Sequence, residues 1–505
     1  MKGADAQKPR VLHVNKTHIM KKTILSAFLS FALFSLHAQD NPRITTMDLT
    51  AGELAHYMAP GWNLGNTLEA GSNTNNFTNN GGVGAETAWQ GTRTTREFIS
   101  CIKQNGFNSV RLPASWVMGH ITDRASMTID EAWVARVREI VDYCMEANLY
   151  VVLNDHWDGG WLEYDGFTTG TDVAAKKEQL RKLWTNIANA FKDYDQRLLF
   201  AGFNEPGVGG ASPEASGNLM FDQNKENDKL VGFVSRLQEY EQVFIDAVRA
   251  TGGNNANRVL VVQGPLTNFG RTNKYFDITK LTDSADNRLM LEVHHYDPFQ
   301  FCGMSEDADW GKVWYYWAGH APKRASSTRV VPDANRVAIQ TAMQEMKTNF
   351  VDKGYPIILG EYGCNHRTIA PTEGTQAKHD ESVKYWYSFS TQYAYEAGII
   401  PFAWDTNNLG RPNMTIFNRS AVSINDATVY NGIFDGDKSG RTAYNAIYPQ
   451  PSTTSGVVRI ENKDKAPVTV YDVCGRLVAS NVMSLQDITL GKGVYVYKGK
   501  KIVVR

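Results

Sequence analysis

The sequence predicts an α/β fold, a (β/α)8 TIM barrel followed by a small all-β sandwich-like C-terminal domain. Two observations predict the barrel. Eight short apolar runs recur along the chain, and amphipathic stretches lie between most of them. The eight runs are 61–66, 109–116, 150–157, 198–206, 258–265, 289–298, 356–363 and 399–405.

Most of these runs are continuously apolar, which is typical of parallel strands buried on both faces. The clearest helix is predicted over 130–148, where Trp133, Val137 and Ile140 fall on one stripe. No glycine-rich phosphate loop follows the first run, which favours a barrel over a doubly wound sheet. Further helical stretches are predicted over 95–105, 174–193, 232–251, 333–353 and 378–397.

Length and composition agree with a large globular protein. The chain has 505 residues, of which 42% are hydrophobic and 21% charged. A formal net charge of -1 gives no indication of nucleic acid or an anionic membrane as partner. The 12 Trp and 22 Tyr residues are suggestive, because aromatic rings stack on the apolar faces of sugars as well as packing in cores.

The N-terminus has the pattern of a secretory signal peptide. Met20-Lys-Lys22 is a basic start, 23–36 is an apolar run, and Ala38 is a small residue at a plausible cleavage point. The apolar run is too short to cross a bilayer. We therefore expect residues 1–38 to be an N-terminal extension and signal peptide, with Met20 as the true start.

A change of pattern marks a second domain. Residues 449–456 are rich in Pro, Ser and Thr and predict a linker after a barrel domain over 39–448. Beyond it, residues 457–505 carry only short strand patterns, which predict a small β-sandwich. These patterns are 457–461, 468–472, 477–479, 487–490, 494–497 and 502–504.

The five cysteines are too few and too scattered for a disulfide framework. Cys101 and Cys144 lie on apolar helix faces and are predicted to be core residues. Cys302 and Cys364 follow consecutive predicted strands, so a bridge between those loops is one alternative and free thiols are the other. No pair has the spacing of zinc ligands. We expect neither a metal nor another cofactor.

The predicted strands end in polar or ionisable residues, at the end where barrel enzymes work. One polar strand end carries little information, but six at the same end of a barrel predict a site. The long polar loop 207–227 follows the fourth strand and is expected to shape a substrate groove. The strand ends are Arg111, His156, Asn204-Glu205, His294-His295-Tyr296, Glu361 and Trp404-Asp405.

Two of these residues, Glu205 and Glu361, follow the fourth and seventh strands and are expected to face each other. Glycoside hydrolysis needs such a pair, one acid to protonate the leaving oxygen and one carboxylate to attack the anomeric carbon. Glu163 and Glu292 are weaker candidates. Glu163 lies on a loop, and Glu292 alternates differently along its strand from the predicted site residues.

Five motifs together resemble glycoside hydrolase family 5, the cellulase family, over roughly residues 50–448. The resemblance implies a secreted, endo-acting, retaining enzyme that cleaves β-1,4-glucan, with polysaccharide as its partner. The motifs are Gly61-Trp-Asn-Leu-Gly-Asn66, Val110-Arg-Leu-Pro113, Asn204-Glu205-Pro206, His294-His-Tyr296 and Leu359-Gly-Glu-Tyr-Gly363.

The resemblance also implies roles for single residues. Glu205 would be the general acid/base and Glu361 the nucleophile, kept ionised by Arg111. Trp157 is a departure, because the family often has a second histidine there. The residues implied to bind substrate are Arg111, His156, Asn204, His294, Tyr296 and Trp404.

The C-terminal segments Val470-Tyr-Asp-Val-Cys-Gly-Arg-Leu-Val478 and Leu490-Gly-Lys-Gly-Val-Tyr-Val496 resemble the sorting domain of the type IX secretion system. This resemblance implies secretion machinery as a partner and a secreted or cell-surface location in a Gram-negative bacterium. A carbohydrate-binding module is the alternative for this domain. We expect a monomer.

Two other kinds of function remain as alternatives. One is a metal-dependent barrel hydrolase using His156, Asp158, His294 and His295. The other is a sugar-binding protein without catalysis, which the presence of both glutamates disfavours. Xyloglucan, mixed-linkage glucan and mannan are open substrates beside cellulose.

Overall fold

A computed structural model describes most of the barrel domain and parts of the C-terminal domain. The predicted signal peptide, Glu163, Cys474 and the loop 208–227 lie outside the described residues. The described residues are 45–71, 82–162, 165–168, 170–207, 228–451, 468–472, 477–482, 493–497 and 500–504.

Eight parallel strands close into a barrel, each pairing with the next along the chain and the last with the first. Each of the eight predicted runs contains one strand, so the predicted (β/α)8 barrel is confirmed. All residues of all eight strands are buried, as their continuous apolarity requires. The strands are β1 Gly61–Asn63, β2 Ser109–Leu112, β3 Tyr150–Asn154, β4 Leu198–Ala201, β5 Leu260–Gln263, β6 Leu289–His295, β7 Ile357–Tyr362 and β8 Ile399–Ala403.

Helices surround the barrel and bury one face against it. In the helix Glu131–Glu146, the predicted stripe of Trp133, Val137 and Ile140 is fully buried. The six predicted helices are present. The main helices are α1 Ala51–Met58, α2 Arg96–Gln104, α3 Glu131–Glu146, α4 Val173–Ala190, α5 Asp228–Ala250, α6 Phe269–Tyr275, α7 Ala334–Asn349, α8 Gln376–Glu396 and α9 Ala427–Ile447.

Helix α9 was not predicted, and its glycines explain its position. A Cβ at Gly432 would lie 2.7 Å from the carbonyl oxygen of Lys384, and one at Gly436 would lie 2.3 Å from that of Ser388. Both carbonyls belong to α8, so the glycines allow the backbones of the two helices to approach closely. Their poor helix propensity is offset by this packing.

The chain divides into two compact units, one ending at Pro449 and one beginning at Gln450. In the second unit, four described strands form one antiparallel sheet in the order β10-β9-β11-β12. The predicted strands 457–461 and 487–490 lie outside the described residues, so the sandwich stays a prediction. The four strands are β9 Val468–Asp472, β10 Leu477–Val482, β11 Gly493–Tyr497 and β12 Lys500–Val504.

Within the described part of the chain, no helix has the length and apolar character needed to span a membrane. The four described cysteines are buried free thiols. Cys101 and Cys144 belong to the hydrophobic core, as predicted. Cys302 and Cys364 are not bridged, and burial raises the pKa of both thiols well above the ordinary value.

Candidate active site

Most of the predicted strand-end residues meet in one cleft at the carboxyl ends of the barrel strands; His295 and Asp405 do not. Glu361 is the last residue but one of β7 and is only 6% exposed. Arg111 on β2 donates from Nη1 to its Oε1 at 2.9 Å, and the Tyr296 hydroxyl donates to its Oε2 at 2.8 Å. Each carboxylate oxygen therefore accepts a hydrogen bond, which fixes the orientation of the carboxylate.

Glu205 lies across the cleft, in the turn that follows β4. Its Oε1 is 2.8 Å from Nδ1 of His294 on β6. The turn is held by the carbonyl of Pro206, which accepts from the N–H of Leu266 at 3.1 Å. Gly207 has a φ of 95°, and a Cβ there would lie 2.4 Å from the ring of Phe233. Glycine is therefore required directly after Glu205-Pro206.

The two carboxylates are close to each other. One oxygen of Glu205, one of Glu361 and a ring nitrogen of His294 all lie within 4.8 Å of one another. The side chain of Glu205 is 30% exposed and that of Glu361 is 8% exposed, so Glu205 is the more accessible carboxylate. A separation of about 5–5.5 Å is typical of retaining glycosidases, and inverting enzymes have about 6.5–9.5 Å.

Glu292 lies beneath the pair, inside the barrel. Its Oε1 is 2.8 Å from Nε of Arg111, an ion pair rather than an aligned hydrogen bond, and 3.2 Å from Nε2 of His294. Gln263 on β5 donates to its Oε2 at 2.6 Å. The expectation that Glu292 alternates differently from the site residues is wrong, because it shares the inner face of β6 with His294.

A β-bulge at Gly360 makes room for Glu292. On β7, Leu359 pairs with Val293 of β6, but Glu361 pairs with the next residue, His294. A Cβ at Gly360 would lie 1.9 Å from Oε1 of Glu292. The glycine before Glu361 therefore gives space to a buried carboxylate.

Asn63 and Asn204 complete the polar layer around Arg111. Arg111 donates from Nη1 to Oδ1 of Asn63 at 3.2 Å and from Nη2 to Oδ1 of Asn204 at 2.7 Å. Asn63 donates in turn to the carbonyl of Gly360 at 2.8 Å. Asn63 stands in a motif quoted above, but nothing in the sequence signalled its contact with Arg111.

The charges of this layer depend on one another. Burial lowers the pKa of His294, but the carboxylates of Glu361, Glu205 and Glu292 outweigh burial and raise it to about 10. Burial likewise lowers the pKa of Arg111, yet Glu292 and Glu361 raise it above the ordinary value. Burial raises the pKa of Glu292, and Arg111 and His294 bring it below the ordinary value. The layer therefore holds an imidazolium, a guanidinium and a carboxylate at neutral pH.

Two further site residues stay neutral. Burial and the adjacent Glu361 raise the pKa of Tyr296 well above its usual value, so its hydroxyl remains a donor. Burial lowers the pKa of His156 well below its ordinary value, and the charges of Arg111 and His294 act in the same direction. His156 is therefore an uncharged hydrogen-bonding group.

Trp404 and His156 form an aromatic wall of the cleft. Their rings are nearly parallel, at 7°, with centroids 6.1 Å apart. Trp404 directly follows β8, and a Cβ at Gly65 would lie 2.9 Å from its indole. Trp157 is partly exposed, and its indole packs against Gly160.

Asp405, which follows Trp404, is fully buried. Its Oδ2 accepts from Nε1 of Trp62 and from the N–H groups of Ile416 and Phe417, at 3.0–3.2 Å. Arg419 donates to the Asp405 carbonyl at 2.8 Å and to the Gly65 carbonyl at 2.9 Å. This network fixes the backbone that carries Trp404. The sequence marked Asp405 only as a polar strand end.

The residues of the metal hypothesis do not converge. Asp158 accepts from the backbone N–H groups of Trp116, Val117 and Met118. His295 packs parallel to Trp386 on α8, with centroids 5.3 Å apart. Among the described residues, the group with ligand-like spacing is the one formed by Glu205, His294 and Glu361. In that group both ring nitrogens of His294 already face carboxylates, Nδ1 that of Glu205 and Nε2 that of Glu292.

The fold and this cleft define a class of protein: a barrel hydrolase with two carboxylates on facing strands, which is the arrangement of a glycoside hydrolase. The comparison with protein families agrees. Residues 69–410 match the family described as Cellulase (glycosyl hydrolase family 5), and the chain belongs to this family. It is an endoglucanase-type glycoside hydrolase that acts on β-glycosidic bonds within chains.

Relatives of known name support the same class. Endoglucanase A of Ruminococcus albus is 30% identical over 412 residues, which cover 79% of this chain and 99% of the relative. A xyloglucan-specific endo-β-1,4-glucanase of Bacteroides ovatus is 32% identical over 380 residues, covering 74% of this chain and 69% of the relative.

One solved structure is more similar in sequence than these two relatives. A xyloglucan-specific β-1,4-glucanase of family 5 from a ruminal metagenomic library, solved in complex with XXLG, is 40% identical. The match covers 78% of this chain and 97% of that one, with a TM-score of 0.68.

Proposed function

We propose that this protein is a retaining endo-β-1,4-glucanase with Glu361 as nucleophile and Glu205 as general acid/base. The observation that carries the proposal is the separation of the two carboxylates, whose oxygens come within 4.8 Å of each other in an open cleft. That distance suits direct attack by one carboxylate and is too short to leave room for an attacking water between them.

In the first step, Glu361 attacks the anomeric carbon of the sugar. Arg111 and Tyr296 both donate to its carboxylate, which holds the attacking oxygen in a fixed orientation. Glu205 gives its proton to the glycosidic oxygen as the bond between that oxygen and the anomeric carbon breaks. Glu205 thereby becomes a carboxylate, and the imidazolium of His294, 2.8 Å away, stabilises the new charge.

In the second step, Glu205 takes a proton from water. The water oxygen bonds to the anomeric carbon, and the bond to Glu361 breaks. Two inversions at the same carbon leave the product with the configuration of the substrate. Asn204, oriented through its Oδ1 by Arg111, is the residue we expect to contact the sugar 2-hydroxyl.

The wall of the cleft would bind the sugar through its apolar face. Trp404 is partly exposed and held in place by the Asp405 network, so its indole is a fixed surface for stacking. His156, in the same wall, is a neutral hydrogen-bonding group. Both residues would bind the sugar ring whose glycosidic bond is cleaved.

The substrate proposed is a β-1,4-linked glucan. Xyloglucan is a specific second candidate, because the structure with 40% identity is a xyloglucan-specific β-1,4-glucanase. Mixed-linkage glucan and mannan differ in linkage or in one hydroxyl configuration. A panel of these polysaccharides with carboxymethylcellulose, tested on one preparation, distinguishes them. Activity on mannan alone would contradict the proposal.

The roles of the two carboxylates are tested by substitution. We expect Glu361→Gln and Glu205→Gln each to lower kcat on soluble β-glucan by about 10³-fold or more, because each removes one half of the chemistry. Glu345→Gln, an exposed glutamate on α7, is the matched control and should leave kcat unchanged. Wild-type activity in Glu361→Gln would refute the assigned nucleophile.

We also propose export by the type IX secretion system of a Gram-negative bacterium. The support is the signal-like segment at 20–38 and the motifs in 470–496 that resemble a sorting domain. Removing residues 457–505 should retain the enzyme inside cells that otherwise release it. Normal release of the shortened protein would contradict this route.

A further inference from the structure

An exposed aromatic pair lies beside the cleft. Trp310 is 66% exposed and Phe299 is 53% exposed, the two largest values among the exposed large hydrophobic residues of the described chain. Their ring centroids are 6.3 Å apart, with the rings tilted by 31°. Exposing two adjacent aromatic rings is unfavourable in water, so such a pair marks an interaction surface.

Trp310 lies at the tip of a turn that is held by hydrogen bonds and an ion pair. Ala308 and Gly311 exchange backbone hydrogen bonds of 3.0 and 3.1 Å, which leaves Asp309 and Trp310 as the two turn residues. Asp307, just before the turn, pairs with Arg329 at 2.5 Å and accepts from the N–H of Val313 at 2.9 Å. The backbone that carries the Trp310 ring is therefore held in one conformation.

Phe299 is fixed to the same unit. Its ring lies on Gly303, where a Cβ would come within 2.1 Å of it. The carbonyl of Gln300 accepts from the N–H of Trp314 at 3.0 Å, which joins this segment to the chain beyond the turn. The two rings thus belong to one pre-arranged surface rather than to separate loops.

The surface lies a short distance along the chain from the cleft. Phe299 is three residues beyond Tyr296, whose hydroxyl bonds to Glu361, so their backbones lie within about 11 Å. The segment follows β6 and therefore lies at the carboxyl end of the barrel. An endo-acting enzyme holds a polymer that extends past the cleaved bond, and the two rings are near enough to the cleft for such a chain to reach them.

From this geometry we propose that Trp310, with Phe299 beside it, is a binding platform for sugar units of the β-1,4-glucan chain beyond the cleavage point. The inference rests on the proposed function. Flat aromatic rings suit the apolar faces of β-linked glucose units, and the exposed polar residues Asp309 and Lys312 flank Trp310 and can bond hydroxyl groups. The platform would act on the binding of long substrates and not on the chemical step.

The test compares Trp310→Ala with a control, Val337→Ala, an exposed apolar residue on α7. We expect Trp310→Ala to raise KM on xyloglucan or carboxymethylcellulose by about three- to tenfold with kcat nearly unchanged. Trp310→Phe should restore most of the binding. On p-nitrophenyl β-cellobioside, which is too short to reach the platform, all variants should match the parent.

A binding measurement removes the dependence on catalysis. In a Glu361→Gln background, electrophoresis through a gel containing the polysaccharide should retard the protein, and Trp310→Ala should weaken the retardation. If the parent is active and Trp310→Ala changes neither KM nor the retardation, the proposed platform is overturned and the proposed function is not. Self-association that Trp310→Ala abolishes also overturns it, since the surface would then bind a second copy. A parent that neither cleaves nor binds β-glucan overturns the proposed function as well.

Discussion

Glu292 and Arg111 form a fully buried ion pair, with Oε1 of the carboxylate 2.8 Å from Nε of the guanidinium and neither side chain exposed. Arg111 in turn bonds to Glu361, and Glu292 also contacts His294, which bonds to Glu205. Both candidate catalytic carboxylates are therefore connected through one buried group. A buried charge pair is costly unless each partner is satisfied, and here the added contacts satisfy both.

The first prediction concerns the charge of Glu292. Glu292→Gln keeps the size of the side chain but removes the negative charge between Arg111 and His294. We expect kcat to fall by about 10- to 100-fold, because Glu205 and Glu361 lose part of their orientation. We also expect the alkaline limb of the pH profile to move to lower pH, because Glu292 is one of the carboxylates that raise the pKa of His294.

A second buried carboxyl group, Glu241, provides the matched control. Burial raises its pKa well above the ordinary value, which favours the neutral form of the carboxyl group. Its Oε1 accepts from the N–H of Gln263 at 2.6 Å, a bond that a glutamine oxygen can also accept. Glu241→Gln should therefore leave kcat within about twofold. Equal losses in the two variants would argue for a general packing effect instead.

The second prediction concerns the glycine at the bulge of β7. Gly360→Ala places a Cβ against the Glu292 carboxylate, which must move away from Arg111 and His294. We expect the free energy of unfolding to fall by about 1–3 kcal/mol and kcat to fall by about tenfold or more. Urea unfolding and steady-state kinetics measure the two effects.

Gly52 on α1 is the comparison for this substitution, because a Cβ there meets nothing within 4 Å. Gly52→Ala should raise the free energy of unfolding by about 0.5–1 kcal/mol through helix propensity. It should leave kcat unchanged. A Gly360→Ala enzyme with normal stability and kcat would show that the space beside Glu292 is not needed.

The third prediction concerns stability at alkaline pH. The pKa of His294 is raised from the ordinary 6.5 to about 10 in the folded protein. Between these values the folded state holds a proton that the unfolded state has lost, so unfolding becomes easier as pH rises. The stabilisation is fully present below about pH 6.5 and is lost as pH approaches 10. One proton corresponds to about 1.4 kcal/mol per pH unit.

His294→Gln removes this titration. In urea unfolding at several pH values between 6.5 and 10, the free energy of unfolding of the wild type should fall more steeply with pH than that of His294→Gln. Glu205, Glu292 and Glu361 are the carboxyl groups that face the ring. Arg111 is close by with a positive charge, and Tyr296 and His156 are neutral neighbours. Parallel slopes for the two proteins would contradict the assignment of a charged His294.

Much of the barrel was predictable because its strands are buried on both faces. Each continuous apolar run contained a strand, and its polar end marked the site face. Helix α9 was missed because Gly432, Gly436 and Gly440 weaken helix propensity. Their purpose is visible only when α8 is packed against them.

The residues of the cleft itself were predictable because each ends its strand. The contacts of the buried polar layer around Arg111 and Glu292 were not predictable, because they join residues far apart in sequence. Arg111 lies on β2 and Glu292 on β6, and no local pattern connects them. The bulge at Gly360 shifts the register of β7 against β6, and strand alternation in the sequence does not indicate such a shift.

In the proposed mechanism, Glu361 bonds to the sugar while Glu205, within 4.8 Å, transfers the proton. Proton NMR of the anomeric signals during hydrolysis of a soluble β-1,4-glucan oligosaccharide tests it most directly. We expect the β-anomer of the new reducing end to appear first and the α-anomer to grow in only by mutarotation. Initial release of the α-anomer would contradict it.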